Sequence, residues 1–437
     1  MISHAGICRH DAFIGLSDIR TTFVIMAQPD YQLYTLSNGM RLAHKQVKGT
    51  RLVHCGYVIH AGSRNDGENP GLAHCLEHML FKGTQKRKTV HVLNYLEVIG
   101  GEMNAFTTKE LTAIYASVQS KYLARAVDIL TDITFSSSIP LAELEKEKKV
   151  IADEINMYLD TPEENIFDEF QEQVFTSHPL AHNILGTVDS LKNISRKDIL
   201  DFTGKHYVAN NMVFVVVGNV TAAKALAVAE HYANAIPAGS DGLVHAKSTF
   251  GYEPSSITEE TDFTSAYTIM GIPAYPENHA KRWPLLLLNN LLGGPGLNSR
   301  LNLAIREKYG YTYHIESGYQ SFSDAGLFHC YLSCDPKFVQ KSTSLILKEL
   351  KKLRDQKLGV VQLSSAKKQF QGQLVMAEEN RSSLLVHIGK GILRHGRAES
   401  LEEVMARIAA VTAEDVLDVA NEVLQESQFS YRTYLPA

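Results

Sequence analysis

Two stretches of this 437-residue chain recur at almost one interval, and that recurrence restricts its fold more than any other feature. Ile194-Ser-Arg-Lys-Asp198-Ile-Leu-Asp201 returns as Val411-Thr-Ala-Glu-Asp415-Val-Leu-Asp418, a step of 217 from Asp198 to Asp415. Tyr115-Ala-Ser-Val118 with Lys121 returns as Tyr331-Leu-Ser-Cys334 with Lys337, a step of 216 from Tyr115 to Tyr331. Either match alone is weak; together they predict two homologous halves. Each half then has the size of one ordinary domain, roughly 100 to 200 residues.

Within the halves the hydrophobic pattern is mixed. Arg51 to Ile59, Leu111 to Val118 and Met212 to Val217 read as strands, the last closed by Gly218-Asn219. Leu72 to Phe81 has helical spacing, Leu123, Val127, Leu130 and Ile133 recur helically, and Leu141 to Tyr158 reads as a long, charge-laced helix. In the second half Tyr267 to Ile272, Tyr311 to Gln320 and Leu327 to Cys334 read as strands. From Pro237 to Ser256 the composition is that of a linker. The expected division is an N-terminal extension over 1–30, a domain over 31–238, a linker over 239–262 and a homologous domain over 263–437. The fold class is α+β.

Charge and composition exclude several partners. Lys and Arg number 43 and Asp and Glu 48, well mixed, so no nucleic-acid footprint is present. No apolar run reaches the roughly 20 residues that span a bilayer. Five cysteines (Cys8, Cys55, Cys75, Cys330 and Cys334) are too few for a disulfide framework and fit a reducing compartment. The expected location is the cytoplasm, with the mitochondrial matrix or export as alternatives. Asp11 and Asp18 sit poorly in a mitochondrial presequence, and Phe23 to Ala27 is too short for a secretory apolar region. The first 25 to 30 residues therefore read as a disordered tail or a mis-called start with Met26 as initiator.

Chemistry concentrates in Gly71-Leu-Ala-His74-Cys-Leu-Glu77-His78. On a helix, His74 and His78 are four apart and Glu77 three from His74, so all three share a face. Two imidazoles at that spacing can hold one Zn²⁺, and Glu77 would stand beside an open coordination position, poised to take a proton from an acidified water. This is the inverted H-x-x-E-H pattern; two surface histidines on an amphipathic helix are the bland alternative. Cys75 lies off that face and reads as packed. A catalytic zinc needs a third protein ligand. Glu147 and Glu154, seven apart on the long helix, are candidates, although such charge runs are usually solvated.

These motifs resemble the pitrilysin/insulinase family of zinc metallopeptidases, in its half-length branch similar to the mitochondrial processing peptidase. The resemblance extends through Asn104-Ala-Phe-Thr107, Asp160-Thr-Pro162, Leu185-Gly-Thr187 and Asn210-Asn-Met-Val213 and covers most of 31–437. It implies two α/β-roll domains, each a mixed sheet packed with helices. It also implies Glu154 as third ligand, 76 residues beyond His78, with Glu147 supporting the site. Adding the repeat step to His74, Glu77 and His78 lands on Leu291, Gly294 and Pro295, which cannot bind metal, and Glu154 maps near Gln371. One zinc per chain is expected.

The resemblance further makes Arg306 and Tyr313 a substrate-gripping pair, where an ordinary helix-surface charge is the alternative for Arg306. Asn104, Ala105 and Phe106 become contacts to an extended peptide, in a stretch that reads as a turn followed by a strand. Family architecture implies a homodimer whose Arg306 and Tyr313 serve the opposite chain, or a heterodimer with a homologue lacking the zinc motif. The expected activity is a zinc endopeptidase acting on extended or unfolded peptides. A presequence-processing subunit and a non-catalytic assembly subunit, like the core proteins of the respiratory cytochrome bc complex, are the alternatives.

Overall fold

The computed structural model describes residues 30–233, 235–239 and 251–437. Its first half builds strands β1 (Gln32–Thr35), β2 (Arg41–Gln46), β3 (Leu52–Ile59), β4 (Glu102–Thr107), β5 (Thr112–Gln119) and β6 (Met212–Gly218). Helices α1 (Leu72–Leu80), α2 (Thr89–Glu97), α3 (Leu123–Phe135), α4 (Leu141–Leu159), α5 (Pro162–Val174), α6 (Val188–Asn193), α7 (Arg196–His206) and α8 (Ala222–Ala233) accompany them. The second half holds β7 (Ser256–Thr261), β8 (Ala266–Ala274), β9 (Thr312–Ser321), β10 (Gly326–Cys334) and β11 (Ser430–Pro436). Its helices are α9 (Arg282–Gly293), α10 (Val339–Asp355), α11 (Val360–Glu378), α12 (Arg381–His395), α13 (Leu401–Ala410) and α14 (Ala413–Val423).

The first sheet runs β1-β2-β6-β3-β5-β4 and the second β7-β11-β8-β10-β9. Leaving out β1, the two orders correspond strand for strand. Each contains one parallel pair at the same place, β2 with β6 and β7 with β11, and is otherwise antiparallel. The recurring motif also has a local physical meaning. Ser195 caps α7 and Thr412 caps α14, each accepting from the amide of the aspartate three residues on while that aspartate bonds back.

Helices of its own half cover one face of each sheet, and a helix from the other half covers the opposite face. Strand β6 is buried throughout; Phe214 and Val216 feed the core of the first half, whereas Val213, Val215 and Val217 pack under Leu384, Leu385, Ile388 and Ile392 of α12. Reciprocally, Ile166, Phe170 and Val174 of α5 pack on Ile269, Leu327, Tyr331 and Tyr434 of the second sheet. The halves are thus locked by exchanged helices.

Two local expectations change. Ser256–Thr261, placed inside the expected 239–262 linker, forms β7, because Ile257 and its neighbours pair in parallel with β11. The stretch from Asn104, read as a turn, is β4, an edge strand. Asn104 suggests a turn by its residue type, but here its carboxamide simply caps the Ala105 amide at 2.9 Å. The expected N-terminal extension, residue 30 apart, and the middle of the expected linker lie outside the described residues. Among the described residues, no helix is long and apolar enough to cross a membrane.

Candidate metal centre

Helix α1 is held firmly at its start. Gly71 caps it at φ 93°, a left-handed conformation that favours glycine, and a Cβ there would stand 2.4 Å from the Leu185 carbonyl oxygen. The Asp66 carboxylate accepts from the amides of Gly71 (2.8 Å) and Ala73 (2.9 Å), satisfying donors that a first turn leaves open. Leu72, Leu76, Met79 and Leu80 are buried, and the helix packs among α4, α7 and β4. Cys75 lies in the core, where burial pushes its thiol up to about 12.

This seating brings His74 Nε2 and His78 Nε2 to 3.8 and 3.4 Å from Glu154 Oε2 on α4. One ligand atom from each of the three lies within 4.8 Å of the others, the only such group among the described residues. Tetrahedral zinc with ligands at about 2.0–2.1 Å spaces its donors roughly 3.3–3.4 Å apart. Glu154 Oε2 already stands near that spacing from both imidazoles. Burial, then the neighbouring His78, pushes His74 down to about 4, so its imidazole stays neutral and able to donate a lone pair. Two nitrogens and one carboxylate oxygen suit zinc and leave a fourth corner open.

The surroundings orient this set. His78 Nδ1 lies 3.2 Å from Glu147 Oε2, and Lys82 Nζ donates to Glu147 Oε1 at 2.7 Å. A carboxylate on Nδ1 selects the tautomer that presents Nε2 to a metal, and the ammonium balances the buried carboxylate. Glu77 is half-buried beside the trio, and its Oε2 accepts from the Thr107 hydroxyl at 2.6 Å. Burial raises its pKa, opposed by the hydrogen bond from the Thr107 hydroxyl and by His78.

Residues 41–188 match the family model for insulinase (peptidase family M16), and residues 193–370 match the model for the peptidase M16 inactive domain. An uncharacterized zinc protease of Streptomyces coelicolor is 33% identical over 405 residues, covering 89% of this chain and 86% of that protein. The chain belongs to the peptidase M16 family. The uncharacterized zinc protease YmxG of Bacillus subtilis is 31% identical over 395 residues, covering 90% of this chain and 95% of that one. A Helicobacter pylori protease and a peptidase M16 inactive domain from Pseudomonas fluorescens share the fold, each with a TM-score of 0.86. They are 21% and 19% identical, covering 94% and 93% of this chain and 100% and 98% of theirs. As an M16 chain it is a zinc peptidase at the level of the family, and peptides are the family's class of substrate.

The M16 second half offers no comparable group among its described residues. Helix α9 ends at Gly293, so Gly294 and Pro295 follow the helix, and Gln371 donates to the Met405 carbonyl at 3.1 Å. Arg306 lies on a short π-helical segment, Asn302–Glu307, and Tyr313 on β9, 87% exposed. Both line a cavity of about 360 Å³ with Asn290, Gly294 and Phe370, and none of His74, Glu77, His78 or Glu154 lines it. Asn104 is exposed and Ala105 half-buried on β4, and the half-buried Phe106 packs edge-on against Tyr115 with centroids 6.2 Å apart. Lys82 and Thr107 escaped sequence reasoning. Lys82 was signalled by standing one turn after His78, whereas Thr107 reaches Glu77 only through the path of the sheet.

Proposed function

We propose that this chain is a zinc endopeptidase hydrolysing extended or unfolded peptides. The observation that carries the reading is the convergence of His74 Nε2, His78 Nε2 and a Glu154 carboxylate oxygen beside Glu77. Zinc held there would acidify a water and polarise a scissile carbonyl. Glu77, its pKa raised by burial, takes the proton from the attacking water and passes it to the leaving amine nitrogen. Glu147 and Lys82 keep His78 in the ligating tautomer. The free edge of β4, at Asn104, Ala105 and Phe106, pairs with the main chain of an extended substrate, which recognises backbone rather than sequence.

Arg306 and Tyr313 serve as donors to a substrate carbonyl or developing oxyanion. Their separate pocket supports a homodimer in which each chain completes its partner's site.

The test is zinc content per chain together with chelator-sensitive hydrolysis of an unstructured peptide. Wild type should carry one zinc and cleave, and Glu77→Gln should keep the zinc and lose at least about 10²-fold in rate. A Glu77→Gln variant cleaving at the wild-type rate, or a wild type that binds no zinc, overturns the reading.

A further inference from the structure

Strand β4 is the outermost strand of the first sheet, so one of its edges has no partner. Which of its amides point outward follows from the hairpin. The Thr108 amide donates to the Leu111 carbonyl at 2.8 Å, making that pair a hydrogen-bonded one. In an antiparallel ladder such pairs alternate with pairs whose backbone groups face away. In the register Asn104 opposite Tyr115, Phe106 opposite Ala113, the residues turned inward are Asn104 and Phe106. Met103, Ala105 and Thr107 therefore present their amides to the free edge.

Two side chains engage this edge in different ways. Ala105 donates to the carboxamide of its own neighbour Asn104 at 2.9 Å. The Thr107 hydroxyl donates to Glu77 Oε2 at 2.6 Å. Thr107 thus holds the carboxylate through its hydroxyl at the end of the free edge. The hairpin tip just beyond it is itself anchored. Glu110 accepts from Arg64 at 2.8 Å and from the Ser323 hydroxyl of the second half at 2.6 Å, and Arg394 of α12 also donates to it. Lys109 is tied to the His182 carbonyl.

We infer that Thr107 is a positioning residue that fixes the Glu77 carboxylate at the point where pairing along β4 stops. A peptide laid on the edge can use the Ala105 amide by displacing the Asn104 carboxamide, and one step further along the edge it meets the Glu77 carboxylate held by Thr107. The paired segment ends against the base, so the hydroxyl sets both the rotamer of Glu77 and the register of the peptide bond presented to it. This inference rests on the proposed peptidase reading for its consequence in catalysis, but the placement of Glu77 can be examined without turnover.

The experiment compares Thr107→Val, which keeps shape and β propensity but lacks the hydroxyl, with Thr107→Ser, which restores it. In the assay with zinc-loaded protein, Thr107→Val should lower kcat by about 10–100-fold with KM and zinc content unchanged. Thr107→Ser should stay within about threefold of wild type, the span expected when the donor is kept. Crystal structures of both variants in the zinc-free form supply the second readout. Glu77 should hold its rotamer in Thr107→Ser and leave it in Thr107→Val. A Thr107→Val chain with unchanged kcat, or with Glu77 in place, overturns the inference, as does a Thr107→Ser chain as slow as Thr107→Val. A wild type without chelator-sensitive cleavage would count against the peptidase reading alone, since the crystallographic comparison would still decide the role of Thr107.

Discussion

His329 shows how burial in this fold changes the chemistry of a single side chain. It stands on β10, 4% exposed, with its ring 5.2 Å from that of Phe167 on the exchanged helix α5, and burial pushes it down to about 4. The folded chain therefore keeps it neutral at pH values where the unfolded chain protonates it. Between pH 6.5 and about 4 its presence costs stability as pH falls, by up to about 1.4 kcal/mol per pH unit; above that window it makes no difference. A His329→Gln variant has no proton to refuse. The stability gap between wild type and this variant should be constant above pH 7 and shift toward the variant on acidification, read from urea unfolding at each pH. A gap independent of pH would contradict it. At this scale the metal centre was legible in part. His74, Glu77 and His78 announce themselves by helical spacing, because four residues make about one turn. Lys82 and Thr107 do not, because what they contact is decided by packing.

At the scale of elements, the strands and helices of both halves largely follow hydrophobic periodicity, and the exceptions have physical causes. Strand β7 falls inside the expected linker yet becomes sheet because β11 offers it an edge. Strand β6 reads as a continuous apolar run, which predicts burial on both faces without saying what covers the second face. The covering element is α12, whose Gly389 makes the approach possible: a Cβ there would stand 2.5 Å from Val58 Cγ2 on β3. Replacing Gly389 with Val should therefore destabilise the chain by about 1–3 kcal/mol, although the interior of a helix ordinarily disfavours glycine. Chemical denaturation measures this, and a variant as stable as wild type would show that α12 can shift without loss.

For the whole molecule, the exchange of α5 and α12 makes each half part of the other's core, and the Glu110 cluster ties the β4–β5 hairpin to both. The second half thus bears on the metal centre without contributing a ligand to it. Arg306 and Tyr313 call for a partner chain in the proposed reading, and mixing two dead variants tests that. Glu77→Gln and Arg306→Ala chains, unfolded and refolded together, should recover roughly a quarter of wild-type activity, because half of randomly paired dimers are mixed and each has one intact site of two. No recovery, with dimers present in both parent preparations, would place the whole site within one chain.

The duplication, the α+β pattern and the shared helical face of His74, Glu77 and His78 could all be read from residue order. Repeats, periodicities and one-turn spacings are local, and a helix converts them directly into a shared face. Three things depended on the tertiary structure: which glutamate meets the histidines by geometry rather than by resemblance, which helix crosses to which sheet, and which residue holds Glu77. Each is set by contacts between segments distant in sequence. Glu77 and Thr107 stand 30 positions apart, Glu110 and Ser323 213. Such separations carry no periodic signal and are fixed only when sheets, caps and buried charges settle together.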